Sequence, residues 1–153
     1  MFENNYSPKA AYGIIKKIIY AQLAGLVLFL LVALLITEGA TSTRFDLEEA
    51  LNLALIVFTV AAVPMGSVVS RKVYSSVKPE YDSTKRMGIF QKGMLIRLAS
   101  YESVGLFSIV VFILTANILV LLFAAISIIG IITSFPRPSY IRQTVGVNEA
   151  ELI

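Results

Sequence analysis

The 153-residue chain contains no cysteine and no histidine. The first absence removes disulfides, thiol nucleophiles and thiolate metal ligands. The second removes imidazole acid–base chemistry, and the two together exclude Cys/His zinc sites. Any nucleophile would be a Ser, Thr or Tyr hydroxyl and any base a carboxylate or Lys, so an enzyme is the least expected class and no catalytic residue is assigned. Charge is also scarce. Charged residues make up 15% of the chain and hydrophobic residues 57%, against about 25% and about 45–50% in soluble proteins. There is no nucleotide-binding loop, no long soluble stretch and no alignable internal duplication.

What is present is apolar and concentrated in runs. A membrane-spanning helix needs about 20 mostly apolar residues. Four candidate spans follow, at about 18–36, 50–70, 94–115 and 117–135. The last two are separated only by Thr115-Ala116-Asn117. Some 40 apolar residues cannot form one span of a ~30 Å core, so a tight helical hairpin with Asn117 at its tip is expected. The apolar run after Lys16 and Lys17 is too long for a signal peptide, and no A-x-A site follows it. An uncleaved first span is the expectation.

Basic residues are distributed asymmetrically. Lys9, Lys16 and Lys17 precede the first span, and Arg71, Lys72, Lys78, Lys85, Arg86, Lys92 and Arg97 lie between spans two and three or at the start of span three. Arg137 and Arg142 follow the fourth span. Only Arg44 falls in the first loop, beside Glu38, Asp46, Glu48 and Glu49. The positive-inside rule makes the basic side cytoplasmic, and an even number of spans puts both termini there. The expected fold is therefore all-α: an integral membrane four-helix bundle, N-in/C-in, with short loops. It forms one transmembrane domain over residues 1–153, with 136–153 as a cytoplasmic tail. The basic surplus serves topology and contact with anionic lipid. No aromatic-interleaved basic platform is present, so nucleic acid is not an expected partner.

Local signals mark the helix ends. Ser7-Pro8 combines a cap with Pro in the first turn. Lys78-Pro79-Glu80 breaks the run out of span two, and Asp82-Ser83-Thr84 caps a helix that enters span three through Ile89, Phe90 and Met94. Pro136-Arg137-Pro138 ends the fourth span, and one short helix with Asn148 as cap fits the tail. Ala21 with Gly25, and Gly130 with Ser134, fit small-residue packing faces used inside the monomer. Tyr20, Tyr74, Tyr101 and Tyr140 read as interface anchors.

Glu102 is the one ionisable residue well inside a span. A carboxylate there carries a cost of roughly 3 kcal/mol on insertion scales, so it is expected to face protein or water. Arg97, at the cytoplasmic entrance of the span, lies about 7–8 Å shallower. Its five-residue offset turns it about 140° beyond one helical turn, away from Glu102. Gln22 lies five residues inside Lys17, at a depth similar to Glu102, and Ser67 lies slightly shallower on span two. Pro64 frees the carbonyl of Val60. Carboxylate, carboxamide and hydroxyl oxygens suit Na⁺, and a buried carboxyl can bind H⁺ instead. Three readings of Glu102 stand: a helix-to-helix hydrogen bond to Gln22 or Tyr101, an ion or proton site, or a side chain at headgroup level.

The stretch Glu102-Ser103-Val104-Gly105-Leu106-Phe107, running through Ser108 to Leu114 with Ala116-Asn117 beyond, resembles the carboxylate-bearing helix of the proteolipid (ring) subunits of rotary ATPases. Na⁺-binding versions carry a Glu-Ser or Glu-Thr pair there, then a Gly-aromatic and an aliphatic run. Lys78-Pro79-Glu80 resembles the polar loop between the two proteolipid helices. The resemblance covers spans two and three, under half of the chain. It implies Glu102 as ion-binding carboxylate and Ser103 as ligand, with Gln22 of span one standing for the family's inner-helix glutamine. Span two has only Gly66 and Ser67 of the family's repeated small residues. The whole chain resembles small four-span bacterial membrane proteins without assigned activity, which implies the bacterial inner membrane.

Two functions are expected. One is a non-enzymatic accessory or scaffold that associates, within the lipid bilayer, with itself or another membrane protein. The other is a proteolipid-like H⁺/Na⁺ binder using Glu102, Ser103, Gln22 and Ser67, with no other cofactor or metal.

Overall fold

The computed structural model describes residues 7–37, 42–43 and 49–153. The first-loop residues Glu38, Gly39, Arg44, Asp46 and Glu48 lie outside these. The elements are α1 (Pro8–Ile36), α2 (Ala50–Tyr74), α3 (Ser83–Thr115), α4 (Leu121–Thr133) and α5 (Pro138–Val145), with 3-10 turns at Ile118–Val120 and Glu149–Glu151. Two of the starts are capped as expected. Ser7 accepts from the Ala10 N–H with Pro8 in the first turn, and Asp82 accepts from the Lys85 N–H at 2.8 Å. Asn148 precedes the second 3-10 turn without a side-chain cap bond. The tail helix starts earlier, at Pro138, whose fixed φ suits a first turn.

The protein is an all-α membrane helical bundle. Helices α1, α2 and α3 are each long and apolar enough to cross a bilayer. The 3-10 turn with α4 (Ile118–Thr133) is apolar enough to make a fourth crossing only when taken together with α5, from which it is bent by 79°. Sixteen residues at helical rise reach about 24–26 Å, slightly less than a ~30 Å hydrocarbon core.

Helix α3 is the central post. Helices α1, α2 and α4 each pack against it. In the apolar stretch of α3, 39% of residues are buried inside the protein, against 17% in α1 and in α2. The sequence of α3 explains this. Met87, Phe90, Met94, Leu98, Gly105, Ser108 and Phe112 are buried, and so are Val104, Ile109 and Val111, so the burial extends around the helix. In contrast, α1 buries one stripe, Ile15, Ile19, Leu26 and Ala33, at heptad-like spacing, while Leu28, Leu31 and Leu35 face outward.

Glycines set the close approaches. Gly66 of α2 lies against Ser100 of α3, where a Cβ would collide with the hydroxyl. Two tyrosines fill notches over glycines: Tyr74 of α2 over Gly93 of α3, and Tyr101 of α3 over Gly130 of α4. This corrects the interface-anchor reading of both. Tyr74 is 7% exposed and Tyr101 packs against the core, whereas Tyr20 and Tyr140 are exposed. Gly130 and Ser134 are used inside the monomer, as expected. Ala21 and Gly25 are not: both are exposed, and a Cβ on Gly25 meets nothing within 4 Å.

The α3–α4 hairpin turns where Asn117 was expected. Ala116 takes the left-handed conformation (φ 51°) and ends α3. Asn117 then caps the 3-10 turn by accepting from the Leu119 N–H at 3.0 Å. Ser42, from the loop after α1, pairs with this tip through Ser42 N–H to Ala116 O and Ile118 N–H to Ser42 O.

At the opposite end the start of α1 meets the segment that follows α4. The Tyr12 hydroxyl donates to the Pro136 carbonyl at 3.1 Å. Ile141, Val145, Val147 and Leu152 are buried, so the tail packs onto the bundle. Arg86 donates to the Pro79, Tyr81 and Gly146 carbonyls, which ties the α2–α3 loop to the tail.

Candidate functional site

Glu102 lies on the part of α3 that faces α1, and it is partly buried. Gln22 Nε2 donates to Glu102 Oε2 at 2.7 Å. The local reason is register. Gln22 occupies a position in α1's buried stripe between Ile19 and Leu26, and Glu102 lies between Leu98 and Gly105 on α3. Each polar group therefore takes an apolar residue's place at the same helix interface, and the Gln22 Nε2 donor meets the Glu102 Oε2 acceptor. The bond joins residues 80 apart in the chain. Gln22 Oε1, the other end of the same carboxamide, is buried with no hydrogen-bond partner.

The remaining expected site residues point elsewhere. The Ser103 hydroxyl donates to the Ser100 carbonyl one turn back at 3.0 Å. Ser103 lines a groove between α2 and α3 with Gly66, Ser100 and Met65. Adjacent residues on a helix are turned about 100° apart, so Glu102 faces α1 while Ser103 faces α2. Ser67 has no hydrogen bond to Glu102; its carbonyl accepts from the Ser70 hydroxyl at 2.9 Å. Pro64 and Val60 lie on the exposed face of α2. The structure thus brings together Glu102 and Gln22 and leaves Ser103 and Ser67 apart from them. Among the described residues no group of three or more acidic side chains converges in a metal-binding arrangement.

A second polar site was not anticipated from the sequence. Among the described residues Arg97, on α3, makes no hydrogen bond or ion pair, and its Nε is buried. It lines a cavity of about 370 Å³ together with Arg137, Ser139, Tyr140, Gln143, Ile132 and Phe135. Next to it the Tyr74 hydroxyl is buried without a partner, within electrostatic reach of Arg97 and Tyr140. The sequence signal for this site was weak. It consisted of one Arg at a span entrance and another between two prolines, 40 residues apart, and only the bend from α4 into α5 makes them neighbours.

No family model, curated protein or solved structure matches the chain. The likeness of spans two and three to rotary-ATPase proteolipids therefore has no support from a family match or a relative.

Proposed function

We propose that this chain is a non-enzymatic, multi-pass accessory or scaffold subunit of the bacterial inner membrane that works by lateral helix association, with a second copy or with another membrane protein. One observation carries the reading: Ala21 and Gly25 form an uncovered small-residue face on α1, with no atom near a Cβ on Gly25. Small residues four apart let a neighbouring helix backbone approach closely, the usual basis of helix association in lipid. The Gln22–Glu102 bond supports the same reading from inside, because it fixes α1 on α3 and so fixes the direction in which that face points. Orientation follows from charge. The end where the start of α1 meets the segment after α4 also carries most of the basic residues, which supports a cytoplasmic placement of that end.

The chain has no cysteine, so Gly25→Cys introduces a single thiol. A photo-cross-linker attached there in native membranes is expected to capture a partner chain, the same protein or another. The same reagent on Val60→Cys, at the outer face of α2, is expected to capture none. No adduct at position 25, or equal adducts at both, would refute association through this face.

A second reading is favoured by one observation, the buried and unpartnered Gln22 Oε1 beside the Glu102 carboxylate. Two oxygens at one place suit a proton or Na⁺. Carbodiimide modification of Glu102 near neutral pH, slowed by Na⁺, is the result that supports it. An unreactive Glu102 with no effect of Na⁺ would refute it.

A further inference from the structure

We propose that the cavity between Arg97 and Arg137 binds the phosphate of one anionic phospholipid. The argument starts from charge. The residues that line the cavity include two arginines and no carboxylate. Arg97 is partly buried, and among the described residues it has no ion pair and its buried Nε has no acceptor. A guanidinium N–H taken out of water needs an acceptor or a counter-ion, and the described residues provide neither for the Arg97 Nε. The one ion pair among the described residues, Arg142 with Glu149, uses a different arginine on the outside of α5.

The chemistry of the missing partner follows from the lining. Two guanidinium groups recognise phosphate oxygens through charge-assisted hydrogen bonds. Ser139, Tyr140 and Gln143 add neutral hydrogen-bonding groups beside them. At about 370 Å³, the cavity falls within the roughly 300–1,000 Å³ range of small-ligand sites.

Depth and the apolar wall select a lipid. Arg97 lies 18 residues before Thr115, the last residue of α3, or about 27 Å along the helix. With the α3–α4 hairpin tip at one bilayer face, Arg97 therefore lies near the other face of a ~30 Å core, at the level of headgroup phosphates. Ile132 of α4, which also lines the cavity, is 53% exposed. A phosphodiester between the arginines would leave its acyl chains to run along that apolar side. This proposal is independent of the association face on α1.

The test uses the full chain in nanodiscs of phosphatidylcholine with phosphatidylglycerol, with native mass spectrometry counting the lipid that stays bound on release. Wild type is expected to retain one phosphatidylglycerol and no phosphatidylcholine. Arg97→Gln and Arg137→Gln are each expected to weaken retention about tenfold, equivalent to about 1.4 kcal/mol, whereas Lys72→Gln, a charge lost at the same end but outside the cavity, leaves it unchanged. Arg137 is exposed, so its variant is expected to fold and carries the test if Arg97→Gln does not. Equal retention of both lipids would overturn the proposal. So would wild-type retention by a folded arginine variant, or an equal loss in Lys72→Gln. Inorganic phosphate provides the second arm. If millimolar phosphate in phosphatidylcholine-only nanodiscs stabilises wild type as much as phosphatidylglycerol does, the ligand is a soluble anion and the lipid assignment fails.

Discussion

The hydroxyl of Tyr12, in the second turn of α1, donates to the backbone carbonyl of Pro136, just beyond the end of α4. This buried bond fastens the first helix to the segment leaving the last crossing, and the C-terminal residues Leu152 and Ile153 lie beside it. Tyr12→Phe removes only the donor. A lost hydrogen bond of this kind lowers stability by about 0.5–1.5 kcal/mol, so a drop of that size in a detergent thermal or denaturant titration is expected. An unchanged midpoint would show that the two ends are not joined in this way.

The Gln22–Glu102 bond is expected to be energetically coupled. A double-mutant cycle with Gln22→Ala and Glu102→Ala should give a coupling of about 0.6–2 kcal/mol, the range for interhelical polar pairs in membranes. Glu102→Gln keeps an acceptor facing Gln22, so it is expected to fold like wild type. A coupling near zero, read in the same denaturant titration, would separate the two side chains.

The glycine notches make opposite predictions at two sites. A Cβ at Gly130 would overlap the Tyr101 ring, whereas one at Gly25 meets nothing. Gly130→Ala should therefore destabilise by about 1–3 kcal/mol, as overpacking does. Its effect should shrink in a Tyr101→Ala background. Gly25→Ala should leave the monomer within about 1 kcal/mol of wild type, since a helix interior prefers Ala to Gly. Thermal midpoints of the four variants decide the matter.

Ala116 is the one non-glycine residue with positive φ among the described residues. The left-handed conformation carries a penalty of roughly 1–2 kcal/mol for an L-residue, partly offset in Ala116→Gly by glycine's greater chain entropy. A net gain of up to about 1 kcal/mol is expected, together with an unchanged helix content by circular dichroism. A loss of stability would mean that the hairpin turns through a different backbone conformation.

Linear signals predicted much of this architecture well. The caps at Ser7 and Asp82, the breaks at Pro79 and Pro136, and the turn at Asn117 depend on residues within a few positions of one another, and backbone hydrogen bonding responds to them directly. The pairing of Gln22 with Glu102 was one of the readings left open, reachable from depth alone because helical rise is fixed. What could not be read was the azimuth. Glu102 and Ser103 are neighbours in sequence, yet one faces α1 and the other faces α2. Ser100, Tyr101, Glu102 and Ser103 are consecutive and so point around the helix, and no polar stripe marks which face is which.

Apolar run length was enough to point to a membrane helical bundle, because burying backbone polar groups in hydrocarbon requires helices. Tertiary structure alone decided that α3 is the central post, that Tyr74 and Tyr101 fill glycine notches, that Ala21 and Gly25 are left uncovered, and that Arg97 and Arg137 share one cavity. The reason is physical. In lipid, outward and inward faces are equally apolar, so hydrophobicity does not orient a helix, and only the fit of small against large side chains does.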